Sequence, residues 1–126
     1  MSTRFDVRFG RLQGLAGIVG AGEKQSWVEV GDDEVHVRMG WAFRATIPRS
    51  SIVGADPEDM VGWVGIGVHG LRGRWQVNGT LGPGVGIDIS PSVQARMSGI
   101  PIRLEHLRIG VADPSGLLDA LGFGAS

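Results

Sequence analysis

The chain has 126 residues, no cysteine and 22 glycines, and its 12 basic and 13 acidic residues leave a formal net charge of −1. That length is one domain, with room for a core that needs no covalent staple, and the lack of cysteine excludes disulfides and thiolate metal sites. The near-neutral balance argues against the basic footprint of a nucleic-acid binder, and no apolar run reaches the roughly 18 residues of a membrane-spanning helix.

Charges at Arg4, Asp6 and Arg8 stand where a signal peptide needs an apolar core, so a cytoplasmic protein is expected. Phe5, Val7 and Phe9 share one parity, which predicts a first strand or an extended arm over 3–9. Residues 10–22 are apolar but punctured by five glycines. Each interior glycine costs a helix about 1 kcal/mol, so a buried irregular segment is expected there. Ser26–Val30 predicts a short strand, and Gly31-Asp32-Asp33 a turn.

The clearest pattern follows. Val35, Val37, Met39, Trp41, Phe43, Ala45 and Ile47 alternate with mostly polar residues, predicting a half-buried sheet bent at Gly40. On its polar face Arg38 and Arg44 are expected to pair with Glu34 or Glu29 across strands. Pro48 ends the strand, Arg49-Ser50-Ser51 makes a tight turn, and Ile52–Ala55 resumes as strand. Asp56-Pro57-Glu58-Asp59 is expected as a polar loop, and a strand is expected near 64–69. Arg74–Asn78 and Gly84–Ile89 predict a hairpin joined by a glycine-rich loop, with residues 91–99 as a further loop.

Residues 100–111 close the strands. Ile100, Ile102 and Leu104 have even parity, whereas Leu107, Ile109 and Val111 have odd parity, which predicts a bulge or turn at Glu105-His106. The one convincing helix comes last. Asp113 suits its N-cap, Pro114 its first position and Gly122 its left-handed stop. Its apolar Leu117, Leu118 and Leu121 must dock on the sheet, because two turns are too short to stand alone.

This order of elements resembles the pleckstrin-homology-like fold, particularly the bacterial versions found as small stand-alone proteins. The resemblance rests on Val35–Met39 followed by Phe43–Ile52, with an Ile47-Pro48, small polar turn, Ile52 corner, and on Leu107–Pro114 running into the helix cap. It spans roughly residues 26–121. It implies a partly open antiparallel barrel of about seven strands plugged by a C-terminal helix. It also implies a binding role toward proteins, other copies or phosphoinositides. The bend at which lipid-binding members cluster Lys and Arg, here Met39-Gly40-Trp41, carries no cluster, although Arg38 and Arg44 flank it.

Three chemical motifs need weighing. Gly65-Ile66-Gly67-Val68-His69-Gly70 spells the dinucleotide fingerprint, but Leu71-Arg72-Gly73-Arg74-Trp75 follows it where a helix N-terminus is required. His36, His69 and His106 lack neighbours at metal-ligand spacing, apart from Glu105 beside His106. No nucleophile-elbow motif is present. The best surface candidate is the stretch His69, Arg72, Arg74 and Trp75, which could grip a carboxylate or phosphate and stack an aromatic group.

The expectations are therefore a mainly β, small bent and partly open barrel capped by one C-terminal α-helix, in a single domain over 1–126. Within it, 1–25 form an N-terminal strand and irregular segment, 26–111 the barrel strands and 113–121 the helix. The expected function is a non-enzymatic binding or scaffold module, protein-binding or self-associating, without cofactor or metal. The alternative is a binder of an anionic ligand or lipid headgroup through an Arg-containing loop. A small apolar ligand enclosed beside Trp41 and Trp63 is a third possibility.

Overall fold

The computed structural model describes residues 2–7, 26–40, 42–60, 67–71, 73–78 and 82–124. Among them lie the strands β1 (Thr3–Asp6), β2 (Ser26–Val30), β3 (Glu34–Met39), β4 (Phe43–Pro48), β5 (Ile52–Met60), β6 (Gly67–Leu71), β7 (Arg74–Asn78), β8 (Gly82–Met97) and β9 (Ile100–Ile109), and one helix, α1 (Pro114–Leu121). The strands form a single sheet in the order β1-β2-β3-β4-β8-β9-β7-β6, with β5 paired to β8. It curls into a half-barrel, mainly β with one C-terminal helix, as its alternating pattern predicts. This arrangement is compatible with a pleckstrin-homology-like fold.

Alternation builds the core. Val35, Val37 and Met39 on β3 face Ile47, Ala45 and Phe43 on β4, and all six are buried. Gly40 turns between the two strands with φ of +52°, a backbone state costly for residues carrying a Cβ. Beyond Pro48 a short 3-10 turn, Arg49–Ser51, steps the chain sideways into β5. Consequently β4 and β5 run end to end along the same side of β8: β4 pairs with residues 95–97, and β5 with residues 82–89.

Three segments differ from expectation. Asp56-Pro57-Glu58-Asp59 lies inside β5, not in a loop, because β8 supplies a continuous partner from Ile89 to Gly82. Residues 91–97 likewise continue β8, leaving only Ser98 and Gly99 as the turn into β9. The hairpin expected between Arg74–Asn78 and Gly84–Ile89 does not form. Instead, β9 lies between them, antiparallel to β8 and parallel to β7, while β7 makes its antiparallel pair with β6. The strand expected near 64–69 is β6, whose described part begins at Gly67. The irregular segment at 10–22, Trp41, Trp63, Arg72 and the first two residues of the glycine fingerprint, Gly65 and Ile66, lie outside the described residues.

The parity switch in β9 is a bulge. Register moves from Asp88 opposite His106 to Val93 opposite Leu104, so Glu105 faces a longer stretch of β8. The N–H groups of Glu105 and His106 both donate to the Gly73 carbonyl, at 2.7 and 3.1 Å. Leu104 and Leu107 thereby both enter the core, while His106 is turned to the opposite face.

The helix plugs the open side as its signals predict. Gly116 N–H donates to the Asp113 carboxylate at 3.1 Å, Pro114 occupies the first turn, and Gly122 is left-handed at φ of +89°. Leu117, Leu118 and Leu121 are buried against the sheet. Arg49 fastens the other end: its guanidinium donates to Ala120 O at 3.0 Å and to Gly31 O at 2.9 Å. A cation on the last carbonyls also suits the negative end of the helix dipole. A bridge between Val7 and Val111, with Ala112 N–H donating to Asp6 O, brings β1 round to the strand that enters the helix.

Candidate functional site

Because core residues occupy one parity, the other parity of β2, β3, β4 and β8 forms an outer face. Register then decides what stands beside what. Trp27 lies opposite Arg38, Arg38 opposite Arg44, and Arg44 opposite Arg96. Three arginines on three adjacent strands thus form one transverse row. Like charges directly opposite each other on a sheet are destabilising, by about 0.2–1 kcal/mol per pair.

The expected cross-strand neutralisation does not occur. Glu29 is taken by Arg4 at 3.4 Å, and Glu34 by His36 at 3.6 Å. Register explains this: Glu29 lies opposite Arg4 and His36, not opposite Arg38 or Arg44. Arg38 Nε donates to Gly40 O at 3.3 Å, and Arg96 donates to Gly99 O at 3.1 Å. Among the described residues, neither they nor Arg44 meet a carboxylate within ion-pair distance. Arg4 lies over the Trp27 ring at 4.3 Å and Arg38 at 5.6 Å, so the indole carries two guanidinium groups. Beside Arg38 and Arg44 lies a partly open groove of about 290 Å³, lined on its far side by Arg4, Glu29, His36 and Thr46.

A second polar cluster sits on the same face of the other half-sheet. His106, 7% exposed in its side chain, lies between two carboxylates: Asp88 Oδ1 is 2.8 Å from Nδ1, and Glu58 Oε2 is 3.2 Å from Nε2. Arg108 donates to Glu58 Oε1 at 3.0 Å and to Gln76 Oε1 at 3.3 Å. Glu58 reaches them by lying across Gly86, where a Cβ would collide with its carboxylate. The cluster therefore stitches β5, β8, β9 and β7 together. Both imidazole nitrogens face these carboxylates, and the described residues contain no group of three His, Asp or Glu arranged to hold a metal ion. Glu105, the neighbour that the sequence suggests for His106, lies beside Arg103 instead, at 3.6 Å.

The stretch read from the sequence as a surface candidate is divided by the strand. Arg74 is exposed and lies opposite His106, whereas Trp75 is half-buried, lies opposite Leu107 and packs against the core. His69 lies at the register position opposite Gln76, and Arg72 is outside the described residues. Sequence reasoning weighed Arg38 and Arg44 but missed Arg96 and Trp27. Alternation within Ser26–Val30 was a usable signal for Trp27, since Ser26, Val28 and Val30 take the buried parity. Nothing local could align Arg96, because its neighbour lies 52 positions upstream.

The molecule is thus a curled β half-barrel with a helical plug and an outer face carrying a cationic row. Comparison with protein-family models, curated proteins and solved structures finds no match.

Proposed function

We propose that this protein is a non-enzymatic binding module, of the bacterial pleckstrin-homology-like kind, whose ligand is an anion held on the outer face by Arg38, Arg44 and Arg96. The observation that carries the reading is the register itself. It sets three arginines side by side with no carboxylate between them among the described residues, an arrangement that costs stability unless a counter-anion settles it. Guanidinium forks match phosphate and carboxylate oxygens two at a time, which suits such a ligand. On this reading the anion sits on the row, where the sequence alone pointed to the stretch with Arg72 and Arg74.

The test pairs binding with stability. Replacing Arg44 with glutamine is expected to raise stability at low salt by about 0.5 kcal/mol, because a like-charge row loses its centre. The same change is expected to weaken inorganic phosphate binding about tenfold, the value of one charge-assisted bond. Calorimetric titration with phosphate and urea denaturation of both proteins measure the two effects. Unchanged phosphate affinity in Arg44→Gln would refute the reading. A lipid headgroup presents the same phosphate, so co-sedimentation with phosphatidylcholine vesicles, with and without phosphatidylserine, separates the two sources.

The open sheet supports a second reading, self-association as a scaffold. Among the described residues the strand path runs from β1 to β6 without closing, and a sheet edge offers backbone groups to another strand. On this reading light scattering finds a dimer that persists at high salt. A monomer over the full accessible concentration range rejects it.

A further inference from the structure

We infer that the anion on this face is a linear chain of phosphates without bases, laid across β3, β4 and β8. The inference rests on the anion-binding reading and narrows it to a ligand class.

Spacing is the first argument. Neighbouring strands stand about 4.8 Å apart, so the backbones carrying Arg38 and Arg96 are about 10 Å apart with Arg44 midway. Long side chains could still fold inward onto one central anion, but the outer two are anchored. Arg38 Nε is bonded to Gly40 O, and Arg96 is bonded to Gly99 O. Both anchors lie in hairpin turns at the same end of the sheet, tied together by Ser98 N–H donating to Ala42 O at 2.9 Å. A single phosphate on Arg44 leaves the flanking cations without an anion. A chain with one negative charge every few ångströms meets all three.

Shape is the second argument. The groove beside Arg38 and Arg44 is only partly enclosed, so a ligand held there can continue along the row toward Arg96. The third argument concerns the aromatic surface. Recognition of single-stranded nucleic acid relies on bases stacking on exposed rings. Here the Trp27 ring already carries Arg4 at 4.3 Å and Arg38 at 5.6 Å, so the indole serves to hold cations and not to receive a base. The chemistry on offer reads phosphates alone.

The experiment is a titration of the full chain with orthophosphate, pyrophosphate, tripolyphosphate and a short oligothymidylate, at matched ionic strength for every ligand, repeated over a series of salt concentrations and without divalent metal. Affinity is expected to climb at least tenfold from orthophosphate to tripolyphosphate. Its logarithm should fall with the logarithm of salt concentration at a slope of about −2, as for three contacts at about −0.7 each. Arg38→Gln and Arg96→Gln should each flatten the climb with chain length, weakening tripolyphosphate about tenfold and orthophosphate by less, since the longer anion needs all three cations at once. Thermal midpoints equal to or above that of the parent chain show that both variants fold. Orthophosphate binding that does not strengthen with chain length overturns this inference and leaves the anion-binding reading intact. Oligothymidylate binding as tight as that of tripolyphosphate also overturns it, by assigning the face to nucleic acid. If no phosphate species binds, both readings fall.

Discussion

Phe43→Ala is expected to destabilise the protein by about 3–5 kcal/mol, the usual cost of deleting a fully buried aromatic ring. Phe43 is 0% exposed and stands at the junction of three strands, opposite Met39 on β3 and Met97 on β8. Met97 is only half-buried, so the vacated space borders the turn of the β8–β9 hairpin and not the middle of the core. Flexible methionines can lean into the gap, which favours the lower part of that range. Against a typical total of about 5–15 kcal/mol the loss is large. The midpoint of urea unfolding measures it, and Phe43→Leu should recover more than half. A loss below about 1 kcal/mol would mean that Phe43 does not fill this junction. The variant also bears on function, because alternation along β4 ties the direction of Arg44 to the burial of Phe43 and Ala45.

The second large effect is expected at Gly86. Its position is buried, between Asp56 on β5 and Arg108 on β9, and Glu58 lies across it. A methyl group there must displace the Glu58 carboxylate, which then loses His106 and Arg108 together. Bonds to charged partners contribute about 1.5–3 kcal/mol each when well sheltered. Glu58 and Arg108 keep 26% and 25% of their side-chain surface exposed, so solvent screening holds the expected cost of Gly86→Ala to about 2 kcal/mol. A double-mutant cycle separates this mechanism from plain crowding. With Glu58 already replaced by alanine, adding Gly86→Ala should cost less than about 0.5 kcal/mol, since the displaced group is gone. Full additivity of the two changes would show that the methyl group meets something other than Glu58.

Local rules reach some parts of this molecule and not others. Alternation identifies the buried residues of β3 and β4, and the parity switch in β9 locates its bulge at Glu105-His106, because each depends on neighbours in the chain. The helix was legible down to its capping residues for the same reason. The hairpin turn at Gly40 would also set Arg38 beside Arg44, once the pairing is counted outward from Met39 and Phe43. What was not legible lies between distant segments. Proline and three acidic residues within 56–59 carry loop signals, yet β8 pairs with them throughout, and Gly86 lets the Glu58 side chain cross over. The parallel pairing of β7 with β9 has no turn to announce it. Both polar assemblies, the arginine row and the His106 cluster, are products of such long-range register. For that reason the chemically important neighbours Arg96, Asp88 and Glu58 went unpaired in the reading of the sequence alone.

The long strand β8 has a mechanical consequence. Its first half holds β5 and the C-terminal half of β9, and its second half holds β4 and the N-terminal half of β9. The half carrying the cationic row and the half carrying the histidine cluster thus share one backbone, as two leaves share a hinge pin. Neither leaf can open by sliding past the other, since no seam of side-chain contacts alone divides them. Loosening one side must fray a ladder that also braces its neighbour, so a ligand that stiffens the arginine face would slow the breathing of the opposite side as well.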